Sequence, residues 1–202
     1  MKRLRIGLDI DGVIYAWDKT ARYMMREVLP NSPYKDDPRF REDSPSWNWI
    51  QDNVDPKHWD WLWSEGVRLG LFKHGHLFPG AIVGIRELAT LGDIVLITHR
   101  PAQAVGSTLS WLALQDLPLS GLHILSNGEN KGTVRPKVDY FLDDKPENVL
   151  DMHNAGVHSY LMRRPWNQDF MWTAVTNIRE YAELIRKREE YEDALLLHKV
   201  GG

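Results

Sequence analysis

The sequence has no cysteine, no long apolar run and no large surplus of charge of either sign. Without cysteine there is no disulfide and no thiolate chemistry, which excludes a thiol nucleophile and suits a reducing compartment. No stretch approaches the roughly 20 apolar residues that cross a bilayer. The basic-then-apolar start "MKRLRIGLDI" is interrupted by Asp9 and Asp11 before it reaches signal-peptide length. A cytoplasmic protein with no membrane partner is expected. Lys and Arg number 25 against 28 Asp and Glu, a net charge of −3, so no overall basic field attracts nucleic acid. Tryptophan is in excess: nine, five of them at Trp47, Trp49, Trp59, Trp61 and Trp63. The 202 residues, 43% hydrophobic, suffice for one domain with a real core, or for one domain carrying an insertion.

Four compact aliphatic runs bounded by breakers read as buried strands, at 4–10, 93–98, 122–125 and 138–143, with a weaker fifth at 157–162. Helical patterns separate them. One spans 79–92, opened by Pro79 and closed by Gly92. Others span 101–115 and 145–156, and a long final helix covers about 171–198 with charges on its outer face. This alternation predicts an α/β fold, a Rossmann-like parallel sheet with flanking helices. Residues 17–78 break the rhythm with Pro, Asp and Trp, over a length too great for a structureless loop in a compact domain. They are expected to form a small, mostly helical cap inserted after the first strand, leaving 1–16 and 79–202 as the core.

Parallel sheets bind ligands beyond the carboxyl ends of their strands. Those ends carry Asp9, Asp11, Thr98 and the pair Asp143–Asp144, with Lys131 and Lys137 ahead of the last of these strands. Carboxylates brought that close repel, and the usual remedy is a hard, oxygen-seeking cation such as Mg²⁺. A lone DxD reads as a turn as readily as a site, but here Gly12 and Val13 follow it and a later strand ends in "LDD". Gly12 suits a sharp turn beneath a ligand and equally a plain turn. His99 and Arg100 in "THRP" read as contacts on the substrate side or as surface residues.

Taken in order, "DIDGV" (9–13), "IVLIT" (94–98), a lysine and "FLDDKPENV" (141–149) resemble the motifs of the haloacid dehalogenase superfamily of phosphohydrolases, over about residues 4–165. The phrases "LFPGAIVGIRELATLG", "LDDKPENV" and "RRPWNQ" are similar to its 5′(3′)-deoxyribonucleotidase branch. The resemblance implies Asp9 as the nucleophile, Asp11 as the acid and then the base, and Mg²⁺ between Asp9, the Asp11 carbonyl and Asp144. Asp143 is either a further ligand or an outer orienter. Thr98, His99 and a lysine hold the phosphate, Lys131 by its place in "NKGTV" or else Lys137. In the cap the resemblance implies an aromatic pocket for the base, with Trp17, Phe72 and Lys73 as candidates. Trp59, Trp61 and Trp63 alternate and cannot share one helical face, so some belong to the cap's own core. "RRPWN" either closes over the site or ends the fifth strand. The expected activity is Mg²⁺-dependent hydrolysis of nucleoside monophosphates, deoxyribonucleoside 5′- or 3′-monophosphates first. The alternatives are another small phosphoester and a polynucleotide 3′-phosphate. The expected partner is a small-molecule nucleotide, and a homodimer stays open.

Overall fold

A computed structural model describes residues 3–200, with side chains described for residues 3–195. The chain opens with β1 (Leu4–Leu8), fully buried from Ile6 onward. It then leaves the sheet for three short helices, α1 (Trp17–Tyr23), α2 (Trp49–Asn53) and α3 (Pro56–Trp61), of which α1 and α3 each run on into one wider turn. After that it alternates as predicted: α4 (Ala81–Ala89), β2 (Gly92–His99), α5 (Val105–Gln115), β3 (Leu119–Leu125), β4 (Tyr140–Asp143), α6 (Pro146–Asn154), β5 (His158–Met162), β6 (Ala174–Val175) and α7 (Ile178–Val200). The six strands pair in parallel in the order β3-β2-β1-β4-β5-β6, an α/β Rossmann-like sheet.

Because successive strand side chains point to opposite faces, the aliphatic run of β2 feeds two cores at once. Ile94 and Leu96 join Ile85, Leu88, Tyr181 and Ile185 under α4 and α7, while Val95 and Ile97 join Phe141, Met152 and Val157 on the other face. Burial on both faces is what makes these strands continuous apolar runs instead of alternating ones.

Several boundaries shift by a few residues, and the C-terminal part departs furthest from the sequence reading. The final helix starts at Ile178, not 171, because the Asn177 side chain caps it and Glu180 ties back the residue ahead of that cap. The Glu180 N–H donates to Asn177 Oδ1 at 3.0 Å, and the Glu180 carboxylate accepts from the Thr176 N–H at 2.7 Å. The residues ahead of it supply β6, a two-residue edge strand too short to show periodicity.

Residues between β1 and α4 build a second apolar cluster around Met25, Phe40, Ile50, Leu62 and Leu71. The chain leaves and re-enters the core side by side. Tyr15 and Leu77 form an antiparallel bridge, the Ala16 N–H donates to the His76 carbonyl at 2.9 Å, and the Phe78 N–H donates to the Ile14 carbonyl at 3.0 Å.

Candidate active site

β1 lies between β2 and β4, with Leu8 level with Leu96 on one side and Leu142 on the other. Strand order reverses here, which is where α/β sheets form their ligand crevice. Register alone therefore brings the residues that follow, Asp9, Thr98 and Asp143, to one place. One carboxylate oxygen from each of Asp9, Asp143 and Asp144 lies within 4.8 Å of the other two, and all three residues are buried. Lys131, 1% exposed, enters from a single 3₁₀ turn (Lys131–Thr133), and its Nζ donates to Asp9 Oδ1 and Asp143 Oδ2, both at 2.7 Å. Lys137, the other lysine candidate, is exposed and donates to the Ala155 carbonyl on the outside of the sheet.

The two neighbouring aspartates are in different states. Asp143 is saturated: Oδ2 accepts from Lys131 and from Asn148 Nδ2 (3.1 Å), and Oδ1 accepts from the Lys145 N–H (2.8 Å). Asp144 Oδ2 accepts from Trp166 Nε1 at 2.9 Å, but its buried Oδ1 has no partner among the described residues, and neither has the buried Thr98 Oγ1. Buried polar atoms almost always have partners. A bare carboxylate oxygen fits a hard cation, and a bare hydroxyl fits an anion's oxygen, so the donor set suits Mg²⁺ or a similar oxygen-ligated ion. Burial pushes Asp143 up to about 6 against the pull of Lys131. Burial and the charges of Asp143 and Asp9 push Asp144 well above the ordinary carboxylate range. Burial alone would push Lys131 down, but its two carboxylate partners hold it above its usual value.

Asp11 stands outside the three-acid cluster. Arg100 holds it bidentately, Nε to Oδ2 at 2.8 Å and Nη2 to Oδ1 at 2.7 Å. Burial raises the Asp11 pKa, and Arg100 opposes the rise. Arg100 is neither on the substrate side nor at the surface: it is 1% exposed and lies behind Asp11, outside the cavity lining. His99 is half-buried at the cavity rim, its Nε2 bonded to the Glu129 carbonyl at 2.7 Å.

Above the acids is a cavity of about 460 Å³, lined from the segment between β1 and α4 by Trp17, Trp47, Trp59, Trp63 and Phe72. Trp59 and Trp63, four residues apart, share a helical face. Trp63 also stacks with Trp17 at a centroid distance of 5.9 Å. Trp49 and Trp61 pack against the second apolar cluster, as Trp17, Trp59 and Trp63 also do, but do not line the cavity. Lys73 is exposed and does not line the cavity, because the turn buries its neighbour Phe72 and sends Lys73 outward. Trp166, in "RRPWN", meets Trp47 edge-on at 6.3 Å across the mouth, so that segment both follows β5 and faces the cavity.

Gly12 has a positive φ of 78°, and a Cβ there would lie 2.0 Å from Asp144 Oδ2. Gly12→Ala is therefore expected to displace Asp144 or the Asp9–Asp11 loop, lowering turnover at least about tenfold and stability by about 1–3 kcal/mol. Steady-state rates and urea unfolding check it.

The model of the family "5′ nucleotidase, deoxy (pyrimidine), cytosolic type C protein" matches residues 3–190. A Bacillus cereus protein named as a candidate nucleotidase is 25% identical over 115 residues, 54% of this chain and 61% of its own length. Bacillus subtilis YqfW, also named as a candidate nucleotidase, is 21% identical over 91% of this chain and 92% of its own. Among solved structures, a haloacid dehalogenase-like hydrolase from Streptococcus pneumoniae superposes with a TM-score of 0.60 at 14% identity, covering 91% of this chain and 98% of its own. The haloacid dehalogenase-type hydrolase YfnB from Bacillus subtilis, solved with magnesium, gives 0.59 at 12% identity, covering 91% and 99%. No described helix is long and apolar enough to cross a membrane.

Proposed function

The chain belongs to the 5′ nucleotidase, deoxy (pyrimidine), cytosolic type C family, a group of phosphoric monoester hydrolases, and from that premise we propose that it hydrolyses nucleoside monophosphates, deoxyribonucleoside 5′- or 3′-monophosphates first among them, through a phosphorylated Asp9. The observation that carries this reading is the pair of unpartnered buried atoms, Thr98 Oγ1 and Asp144 Oδ1, at the foot of a tryptophan-lined cavity. Its volume, about 460 Å³, lies within the usual range for small-molecule sites.

In the first step an Asp9 carboxylate oxygen bonds to phosphorus while the bond from phosphorus to the ribose oxygen breaks, and Asp11 gives its proton to that oxygen. In the second, water attacks the acyl phosphate, its proton passes to Asp11, and inorganic phosphate leaves with Asp9 regenerated. Thr98 donates its hydroxyl proton to a phosphate oxygen. Lys131 orients Asp9 from one side while Asp143 keeps that ammonium in place, which makes Asp143 an orienter. Asp9, Asp144 and the Asp11 carbonyl would hold a Mg²⁺, which when bound would supply charge neutralisation for the dianionic substrate.

The reading is tested by measuring phosphate release with Mg²⁺ from 5′- and 3′-deoxynucleotides, ribonucleotides, sugar phosphates and a 3′-phosphorylated oligonucleotide. Deoxynucleotides are expected to give the highest kcat/KM; a preference for sugar phosphates or the oligonucleotide would overturn the substrate assignment. Base stacking on an aromatic face contributes about 1–3 kcal/mol. Trp17→Leu is accordingly expected to raise KM for deoxynucleotides about tenfold while leaving the kinetics for glycerol phosphate, which has no base, unchanged.

A further inference from the structure

We propose that Arg100 is the positioning residue for the acid–base carboxyl group of Asp11, fixing its plane so that its remaining lone pairs face the cavity where the leaving oxygen lies. This rests on the aspartyl-phosphate reading above. The geometry is that of a built support. Two guanidinium nitrogens hold the two Asp11 oxygens at 2.8 and 2.7 Å, and the third, Nη1, donates to Thr108 Oγ1 at 2.9 Å. Thr108 Oγ1 in turn donates to the Ala104 carbonyl at 2.8 Å, tying the clamp to the start of α5. The guanidinium packs against the ring of Tyr15 at 4.9 Å and that of Phe72 at 4.7 Å, so it has little freedom to rotate.

A stabilising role alone does not account for this arrangement. Burying an ion pair costs desolvation that an apolar side chain of similar volume avoids. The guanidinium is 0% exposed, yet the Asp11 side chain it grips is 21% exposed and lines the cavity, so the pair is closed behind and open in front. A carboxylate offers about four lone-pair positions, and a bidentate arginine occupies two. Of the others, one facing the cavity carries the proton given to the ribose oxygen in the first step and takes up the proton of water in the second. Arginine's planar fork sets the carboxylate's orientation in a way a lysine point charge does not.

The experiment compares Arg100→Met, Arg100→Lys and Thr108→Val with the wild-type protein on two substrates, a deoxyribonucleoside monophosphate and p-nitrophenyl phosphate. The readout is kcat/KM, which covers the steps up to phosphoryl transfer onto Asp9. The nucleoside is a poor leaving group and needs the Asp11 proton, whereas p-nitrophenolate leaves without one. Positioned acid catalysis contributes about 10²–10⁴-fold. Arg100→Met is expected to cut kcat/KM for the nucleotide about 100-fold and that for p-nitrophenyl phosphate by less than about threefold, and Arg100→Lys to restore part of the loss. Thr108→Val loosens the clamp without removing its charge. It is expected to show the same selectivity at about fivefold, and it decides the matter should Arg100→Met fail to fold. Equal losses on both substrates, or no loss on either, would overturn the proposal while leaving the aspartyl-phosphate reading intact. Wild-type protein that releases phosphate from neither substrate would overturn both.

Discussion

Asp9→Asn is expected to lower turnover by about three orders of magnitude or more while the circular dichroism spectrum stays that of the native protein. The amide oxygen is a poor nucleophile for phosphorus, so the change removes the bond-forming group. Its shape is retained, and its Oδ1 still accepts from the Lys131 ammonium, which sits 2.7 Å away in the native site. Because Asp9 is 5% exposed and follows the buried end of β1, no other carboxylate takes its place without moving the sheet. The same protein supplies the positive control. Acid-quenching wild-type protein during turnover should trap an adduct one phosphoryl group heavier and labile to hydroxylamine. A variant that hydrolyses nucleotides at the native rate would eliminate the covalent route.

Asp144→Asn is expected to separate activity from stability. Turnover should fall at least about 100-fold, because the bare Oδ1 that suits a cation becomes a neutral amide atom. Without metal, however, the variant should melt a few degrees above the wild type at pH 7.5, roughly 3 °C for a gain of about 1 kcal/mol in a chain of this size. The sign follows from the site's charges. Burial holds Asp143 near 6 and Asp144 well above the ordinary carboxylate value, so the metal-free folded state retains protons that the unfolded chain releases. The contribution of Asp143 is complete below the unfolded value, near 4, and is lost as pH rises through about 6, while that of Asp144 is lost as pH rises through its own raised value. Wild-type protein without metal should therefore be more stable at pH 5 than these groups allow at pH 8. Added Mg²⁺, which competes with those protons, should raise Tm more at pH 8 than at pH 5, and Asp144→Asn should abolish most of that increment. Calorimetry at the two pH values measures all three quantities. A Mg²⁺ effect of the same size in the variant would rule out Asp144 as a ligand.

How much of this was legible in the sequence depended on how local each signal was. Strand ends announce themselves by an apolar run stopping at a charge, and a parallel sheet places those ends on one edge. Asp9, Thr98, Asp143 and Asp144 could thus be grouped before any coordinates were known. Lys131 and Lys137 both precede β4, and only the chain's path separates a buried ammonium from one on the outer surface. Arg100 and Asp11 lie 89 positions apart, and Trp166 and Asp144 lie 22 apart, so no spacing rule joins either pair. Asn148 lies only five residues after Asp143, but the two sit on β4 and α6, so the strand-to-helix turn and not a periodic spacing makes their contact. The start of α7 was discoverable, since Asn177 three residues before Glu180 is a cap signature in plain view. The tryptophans show the opposite limit: alternation ruled out a common face for Trp59, Trp61 and Trp63, but only the fold decided that Trp61 faces away from the cavity.

The side-by-side passage at Tyr15 and Leu77 has a consequence for how such an enzyme changes over time. Both ends of the excursion leave from one narrow stalk, so the polypeptide between them is a cassette whose two attachment points stay fixed whatever it contains. Because closing a longer loop costs only logarithmically more, that cassette is free to lengthen, shorten or be exchanged without disturbing the strands beneath. Selection for a new leaving group can thus act on the roof, constrained where Phe72 packs on the Arg100 that grips Asp11.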